Sequence, residues 1–229
     1  MKKKHDISLA VKGKKTDPMN MLVRKITIPL TNFTANYTNI TPNQISIFNL
    51  FVMLGALISL GISGYTSDPY FYRLLGSVLV MITVILDHVD GKLARAKKIS
   101  SLFGKWIDDV PNMAFTPLVF WSLAIGLREP LLMIVAALAM ICFPLQFLFV
   151  YYFKSEFASE LNKKKVSLIK ENNKLRYIYG TVYLHWILLL TAIFNVAQFT
   201  LWFFAIFGNL FWMAILALQL RAVIKYEQA

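Results

Sequence analysis

Long apolar runs dominate this sequence. Of its 229 residues, 57% are hydrophobic and only 16% are charged, and the mean hydropathy is +0.56. Soluble domains usually carry about 25% charged residues, and a helix that crosses a bilayer needs about 20 consecutive apolar residues. Several runs in this chain reach that length. The sequence therefore predicts an all-α membrane protein that crosses the bilayer several times.

Polar segments divide the apolar runs into six predicted transmembrane helices. Their approximate ranges are 41–64, 70–96, 101–127, 130–153, 177–195 and 199–223. The longest polar connection, about 154–176, is predicted to be a cytoplasmic loop. We expect residues 18–229 to form a single membrane domain, preceded by a flexible basic N-terminus at 1–17.

An amphipathic segment precedes the first predicted span. Residues 18–38 mix apolar and polar positions and are too polar to cross the bilayer, so they are predicted to form a helix lying in the membrane interface. Arg24 and Lys25 of this segment face either lipid headgroups or substrate, or they serve only as a topology anchor.

The net charge of +12 reflects membrane topology and does not indicate nucleic-acid binding. With the N-terminus in the cytoplasm, 22 of the 24 Lys and Arg residues fall on the cytoplasmic side of the six helices. This positive-inside distribution also favours contact with anionic lipids. We therefore expect both termini in the cytoplasm, a place in the cell (inner) membrane and no nucleic-acid partner. The single cysteine, Cys142, excludes an intrachain disulfide, and no removable signal peptide is predicted.

Four of the twelve acidic residues lie between two very apolar segments, within residues 87–112: Asp87, Asp90, Asp108 and Asp109. Charge at membrane depth is costly unless it is paired, hydrated or bound to a metal. On a helix, Asp87 and Asp90 share one face because they are three positions apart. Asp108 and Asn112, which are four apart, do the same. Where two such helices meet, three or four oxygen ligands converge, which suits a hard cation such as Mg²⁺.

The residues between these acids favour a phosphate ligand. Gly91 and Ala94 carry little side-chain bulk, so that a ligand or a neighbouring helix can approach the backbone. Gly104 has the same effect on the following helix. Arg95 supplies a planar cation suited to a phosphate or a carboxylate. Carboxylates, small residues and a cation at the end of a helix bundle fit a metal-bound diphosphate.

The stretch has the spacing D-x2-D-G-x2-A-R-x8-G-x3-D-x3-N, which closely resembles the motif of the CDP-alcohol phosphotransferases, a family of integral membrane enzymes. Seven of the eight motif positions match, and Thr41-Pro42-Asn43 also resembles the usual entry to the family's first span. The resemblance implies a six-helix, commonly dimeric fold with its site at the cytoplasmic interface. It also implies a reaction in which an acceptor hydroxyl attacks the β-phosphorus of a metal-bound CDP-linked donor and CMP leaves.

The resemblance implies a role for each matching residue. The implied metal ligands, for Mg²⁺ or Mn²⁺ in a two-metal site, are Asp87, Asp90, Asp108 and Asn112. The residues implied to contact the CDP moiety are Gly91, Ala94, Arg95, Gly104 and Asn43. The implied catalytic positions are Asp108 and Asn112. The implied partners are a donor such as CDP-diacylglycerol or its archaeal ether counterpart, a small or phosphorylated alcohol, membrane lipids and a second copy of the chain, in phospholipid or related polar-lipid synthesis.

Position 112 departs from the motif. The family has an aspartate there, proposed to deprotonate the acceptor hydroxyl, whereas this chain has Asn112. An amide oxygen can ligate a metal, but an amide does not accept a proton near neutral pH. Three alternatives follow: an inactivated variant, a homologue that uses Asp109 or His88 as its base, or a member that binds nucleotide and metal without turnover. Helical spacing predicts that Asp109 and His88 both point away from the ligand face.

The sequence does not decide whether the acceptor is a small alcohol or a phosphorylated alcohol. A basic cluster would suit a phosphorylated acceptor and would serve the positive-inside topology equally well; it consists of Lys163, Lys164, Lys165 and Arg176.

Other classes of protein fit the sequence less well. An ion-coupled transporter would explain intramembrane acids but not the spacing of glycine, alanine and arginine. The sequence contains no GxSxG, P-loop or HExxH pattern, so serine hydrolase, P-loop NTPase and zincin functions have no support.

Overall fold

The structure is a computed structural model that describes residues 18–157 and 181–228, and these residues form helices and no strand. In chain order the helices are α1 (Pro18–Tyr37), α2 (Pro42–Ile62), α3 (Pro69–Lys97), α4 (Leu102–Leu127), α5 (Pro130–Glu156), α6 (Val182–Ile193), α7 (Gln198–Phe203) and α8 (Asn209–Glu227). A 3₁₀ turn (Ser63–Tyr65) follows α2, and a π-helical segment (Phe204–Gly208) joins α7 to α8. The predicted basic terminus lies outside the described residues. So does most of the predicted loop, including Lys163, Lys164, Lys165 and Arg176.

Within the described residues, five helical segments are long and apolar enough to cross a membrane. They are Pro42–Tyr65, Pro69–Lys97, Leu102–Leu127, Pro130–Glu156 and Gln198–Glu227. These segments correspond closely to predicted spans one to four and six. The remaining apolar helix, α6, has 12 described residues, and the predicted start of that span lies outside the described part. The chain is thus an all-helical, multi-pass membrane protein, and the count of six spans stays a prediction.

The helix α2 begins where Thr41-Pro42-Asn43 predicts. The Thr41 hydroxyl accepts the Gln44 N–H at 3.3 Å, and the Gln44 side chain accepts the Thr41 N–H at 2.9 Å, which is a capping box. Pro42 occupies the first turn, where an N–H would have no partner in the helix. This start places Asn43 and Ser46 on the first turns of α2.

A short connection joins α3 to α4 and orients both halves of the acidic stretch. Lys98 ends α3 in the left-handed conformation, with φ at 55°, and its N–H bonds to the carbonyls of Ala94 and Arg95. Ser101 caps α4 by accepting the Gly104 N–H at 2.9 Å. The acidic residues therefore lie in the last turns of α3 and the first turns of α4, at the same end of the bundle.

The helix α2, rather than α4, is the main neighbour of α3. It packs along both α3 and α4, whereas those two helices make little direct contact despite their short connection. Further along the bundle, α4 packs on α5, α5 packs on α8, and α6 packs on α3. Because α3 and α4 diverge, a cavity remains between them, and Asp87, Asp108 and Asp109 line it.

A central apolar cluster holds the bundle together. Its largest fully buried side chains are Phe120, Phe143 and Phe204, whose ring centroids lie 5.2 to 6.3 Å apart. Aromatic pairs at such distances contribute about 0.5–1.5 kcal/mol each beyond their buried area. The three rings join α4 and α5 to the last span, so they fix the position of the helix that carries Asp108 and Asn112.

The helix α1 lies along α3. Val23 packs near Val84, and Ala35 packs near Val89 and Leu93. The outer face of α1 exposes large apolar side chains, namely Met21, Leu22, Ile26, Leu30 and Phe33. A helix with one face on the protein and apolar side chains on the other fits the predicted interfacial helix. Its position in a membrane stays a prediction.

Gly126→Ala is expected to destabilise the protein. A Cβ at this position would overlap the carbonyl oxygen of Leu60 and the hydroxyl of Ser63, because the end of α4 approaches the end of α2 without an intervening side chain. Overpacking costs about 1–3 kcal/mol, and overlap with a backbone oxygen favours the upper part of this range, above the ~1 kcal/mol that alanine gains over glycine in a helix. Gly61→Ala is the matched control, since its Cβ would lie 4.0 Å from the Ser122 carbonyl oxygen. Thermal unfolding in detergent should show a lower Tm for Gly126→Ala only, and equal Tm values would contradict the prediction.

Candidate functional site

The acidic residues of α3 and α4 converge at one end of the bundle. The carboxyl groups of Asp87 and Asp108 lie within hydrogen-bond reach of each other. Asn112 follows Asp108 by one turn, and its Nδ2 donates to Asp87 Oδ1 at 2.6 Å and to the Asp108 carbonyl oxygen at 2.7 Å. The structure thus brings Asp87, Asp108 and Asn112 together across the gap between two diverging helices.

The orientation of the Asn112 amide follows from its two partners. The Asp87 carboxylate and the Asp108 carbonyl are both acceptors, so the NH₂ group rather than the amide oxygen must face them. An aspartate at this position would have no N–H to donate and would add a third carboxylate beside Asp87. Asparagine therefore removes one negative charge from the site and supplies a hydrogen bond in its place. A role for its oxygen as a metal ligand stays a prediction.

Asp90 lies on the side of the site that faces α2. It is 3% exposed, and its Oδ2 accepts the Ser46 hydroxyl at 2.7 Å. Its Oδ1 has no hydrogen-bond partner in the described part of the chain, and a buried carboxylate oxygen of this kind is costly unless a cation or a donor satisfies it. The motif did not identify Ser46. The available signal was its spacing of three residues from Asn43, which puts both on one face of α2.

Arg95 lies where it can reach both acidic helices. It interacts electrostatically with Asp90 of its own helix and with Asp108 of α4. Its guanidinium runs beside Gly91, with Nη1 3.4 Å from the position that a Cβ of Gly91 would take. The absent side chain at Gly91 therefore leaves space for the cation as well as for a ligand.

Gly104 and Asn43 meet where α4 approaches α2. A Cβ on Gly104 would lie 2.6 Å from Asn43 Oδ1, so a side chain at this position would displace the Asn43 amide. Ala94 is half-buried, and its carbonyl oxygen accepts the N–H groups of Lys98 and Ile99 at the end of α3. The described contacts of Ala94 therefore shape the turn between the two acidic helices.

The two alternative bases occupy different positions. His88 Nδ1 lies 3.6 Å from Asp87 Oδ2 and 2.9 Å from the Val84 carbonyl oxygen, while its Nε2 lies 2.9 Å from Asn20 Oδ1. The prediction that His88 points away from the acids is wrong, because an imidazole is long enough to reach a carboxylate on the adjacent residue. Asp109 is exposed and lines the same cavity as His88.

Two cavities share Asp87, His88 and Asp108 in their walls. The first has a volume of about 270 Å³ and lies between α3, α4, α5 and α6. Its other lining residues include Asn112, Thr116, Phe147, Tyr151 and His185. The second, of about 280 Å³, lies between α1 and α3, and its walls include Arg24, Lys92 and Arg95. Both volumes are near the lower end for ligand pockets, roughly 300 Å³. Asp87 and Asp108 thus lie between two cavities, one with polar and aromatic walls and one with several basic side chains in its walls.

The carboxylates of the site are suitable ligands for a divalent cation. Two carboxyl groups in contact need a proton or a cation between them, and Mg²⁺ and Mn²⁺ prefer carboxylate oxygens. The buried Oδ1 of Asp90 is a further oxygen of the same type. Among the described residues, however, no three His, Cys, Asp or Glu side chains are grouped closely enough to hold a metal as they stand.

The fold and the site define a multi-pass, all-helical membrane protein with a carboxylate-rich centre at one end of its bundle. The family model of the CDP-alcohol phosphatidyltransferases matches residues 39–220, which is most of the chain, and the chain belongs to this family. The resemblance drawn from the acidic motif is thereby confirmed. Members of the family are transferases that take a CDP-linked substrate and an alcohol acceptor and generally depend on a divalent metal.

Two proteins of Aquifex aeolicus are similar to parts of the chain. A bifunctional IPC transferase and DIPP synthase is 30% identical over 110 residues, which make up 47% of this chain and 23% of that protein. An uncharacterized protein is 32% identical over 98 residues, which make up 42% of this chain and 45% of that protein. The chain therefore spans less than half the length of either relative.

Proposed function

We propose that the protein transfers a substituted phosphate group from a CDP-linked donor to the hydroxyl of an acceptor alcohol and releases CMP. The lipid-synthetic donors that fit are CDP-diacylglycerol and its archaeal ether counterpart. The observation that carries the proposal is the convergence of Asp87, Asp108 and Asn112 in a member of the CDP-alcohol phosphatidyltransferases. The relative whose name includes an IPC transferase activity supports a role in phospholipid or polar-lipid synthesis.

The side chains around the acids have complementary roles in this proposal. Asp87, Asp90 and Asp108 would hold Mg²⁺ or Mn²⁺ in a site for two ions. Such ions would supply positive charge that neutralises the diphosphate oxygens and stabilises the leaving phosphate. Arg95 lies beside the acids and adds a fixed positive charge for the diphosphate. The remaining contacts to the CDP moiety come from Gly91, Ala94, Gly104 and Asn43.

The charge distribution supports a cytoplasmic site in the cell membrane. Arg24, Lys92 and Arg95 lie at the end of the bundle that carries the acids. Arg73 lies near the start of α3, and Arg128 directly follows α4, at the opposite ends of those helices. By the positive-inside rule, this distribution supports a cytoplasmic position for the acidic end. A homodimer is expected from the family resemblance alone.

A catalytically silent member that binds the CDP-ligand and metal is the second candidate. The hydrogen bond from Asn112 Nδ2 to Asp87 favours it, because the position of the expected base carries a donor and has no atom that accepts a proton near neutral pH. In an active protein, His88 or Asp109 would have to take the proton of the acceptor hydroxyl. Both line the cavity that contains Asn112.

CMP release distinguishes the two candidates. The purified protein in nanodiscs is incubated with Mg²⁺ and with CDP-diacylglycerol, an archaeal ether equivalent or CDP-linked small alcohols, each with free and phosphorylated polyols as acceptors. We expect CMP release that requires donor, acceptor and metal, and that EDTA stops. Binding of CDP without CMP release would favour the silent member. Absence of both binding and release would contradict both functions.

A further inference from the structure

Two polar contacts bond α1 to α3 beside the acidic site. Asn20 Oδ1 lies 2.9 Å from His88 Nε2, and Lys92 Nζ donates to the Thr27 hydroxyl. His88 and Lys92 are four residues apart and lie on one face of α3. Arg24 follows Asn20 by four residues and precedes Thr27 by three, so it lies on the face of α1 that is turned to α3. The packing of these helices therefore places Arg24 next to Lys92.

Lys92 is a buried cation with a neutral partner. It is 5% exposed, which is rare for a lysine that is not paired with a charge. Its described hydrogen bond goes to the Thr27 hydroxyl. Within the described residues, no carboxylate lies within ion-pair distance of Lys92, and Asp87 attracts its ammonium only from farther away. Burial of an ammonium with no counter-charge in contact is costly, and an anion beside its Nζ would reduce that cost.

Two further cations surround Lys92. Arg24 and Arg95 are both close enough to Lys92 to repel it electrostatically. All three line the cavity of about 280 Å³ between α1 and α3. Asp87 and Asp108 line the same cavity, but in the proposed function they are occupied by a divalent metal. The basic side of this cavity therefore favours an anion with several oxygens.

We propose that Arg24 and Lys92 form an anion subsite that binds a phosphate group. The phosphate belongs either to the diphosphate of a CDP-linked donor or to the headgroup of an anionic lipid, which the outer apolar face of α1 brings within reach. The donor source rests on the proposed function, whereas binding of a phosphate group by the subsite needs no turnover. The subsite gives α1 a ligand-binding role in addition to membrane contact.

The test compares neighbouring cations of α1. Arg24 is half-buried in the cavity wall, and Lys25 is exposed, so Arg24→Gln and Lys25→Gln remove the same charge from the same helix. Binding of inorganic pyrophosphate is measured by calorimetry in detergent with Mg²⁺, which in the proposed function occupies the neighbouring carboxylates, for these variants and for Lys92→Gln. We expect Arg24→Gln and Lys92→Gln to weaken binding about tenfold or more, and Lys25→Gln to bind like the wild-type protein. If Lys92→Gln lowers the Tm, and so disturbs the fold, the comparison of Arg24→Gln with Lys25→Gln decides the test.

Nanodiscs separate the two sources of the phosphate. In discs of phosphatidylcholine, pyrophosphate binding should match that in detergent. If discs that contain phosphatidylglycerol weaken pyrophosphate binding to the wild-type protein but not to Arg24→Gln, a lipid headgroup occupies the subsite. If the two discs give equal affinities while Arg24→Gln still weakens binding, the subsite takes the phosphate of a soluble or donor-linked ligand. Equal binding by Arg24→Gln and Lys25→Gln in every medium would overturn the proposal, whatever the outcome of the CMP release assay.

Discussion

Asn112→Asp is expected to raise the rate of CMP release about 10²–10⁴-fold, the usual contribution of a positioned general base. In the structure the amide donates to Asp87 and to the Asp108 carbonyl, and it has no atom that accepts a proton near neutral pH. A carboxylate at the same position can take the proton of the acceptor hydroxyl. The measurement is CMP release at neutral pH with Mg²⁺ and saturating donor.

The same substitution is expected to make the protein depend more strongly on a divalent cation. A third carboxylate beside Asp87 and Asp108 adds like-charge repulsion that a bound cation relieves. Asn112→Asp should therefore unfold at a lower temperature than the wild-type protein in EDTA. Mg²⁺ should raise the Tm of Asn112→Asp by more than it raises the Tm of the wild-type protein. Asn36→Asp makes the same chemical change on α1, where the amide bonds to Asn32, and serves as the control. Equal CMP release by Asn112→Asp and the wild-type protein would show that another group takes the proton.

Asp90→Asn is expected to weaken metal binding about 100-fold or more, because changes to residues that merely orient a metal ligand already cost about 10–100-fold. Asparagine has nearly the same shape and can still accept the Ser46 hydroxyl, which lies 2.7 Å from Asp90 Oδ2. The fold should therefore be retained while the charge is lost. Mn²⁺ binding followed by electron paramagnetic resonance measures the effect without requiring turnover. CMP release by Asp90→Asn combined with Asn112→Asp should fall to the level without metal.

Asp109→Asn provides the comparison for metal affinity. It removes the same charge from an exposed residue of α4, next to a proposed ligand. We expect it to bind Mn²⁺ as the wild-type protein does. If Asp109→Asn weakens Mn²⁺ binding as much as Asp90→Asn, the effect reports the total charge of the region, and Asp90 is not a ligand.

Several features could be predicted from the sequence because they depend on residues close together in the chain. Apolar runs identify spans by length and hydropathy, and Thr41 with Gln44 forms a cap within a single turn. The pairing of Asp108 with Asn112 follows from helical spacing in the same way. The family could be recognised for the same reason, since its motif lies within two consecutive helix ends and the short turn between them.

Other features of the site depend on packing between distant segments. Ser46 reaches Asp90 because α2 packs along α3. The approach of Gly104 to Asn43 likewise requires the contact between α4 and α2. His88 was predicted to point away from the acids because the spacing along one helix takes no account of side-chain reach. A single helix contains no information on which neighbour a side chain will meet.

The sequence by itself determined the helices, the family and the types of residue in the acidic centre, because local propensity, hydropathy and motif spacing specify them. Only the tertiary structure decided that α3 and α4 diverge around a cavity, that the Asn112 amide bonds to Asp87, and that Lys92 is buried beside Arg24 of α1. Burial and the distance to a counter-charge are properties of helices packed against each other. They set the electrostatics of the site, and spacing along the chain does not encode them.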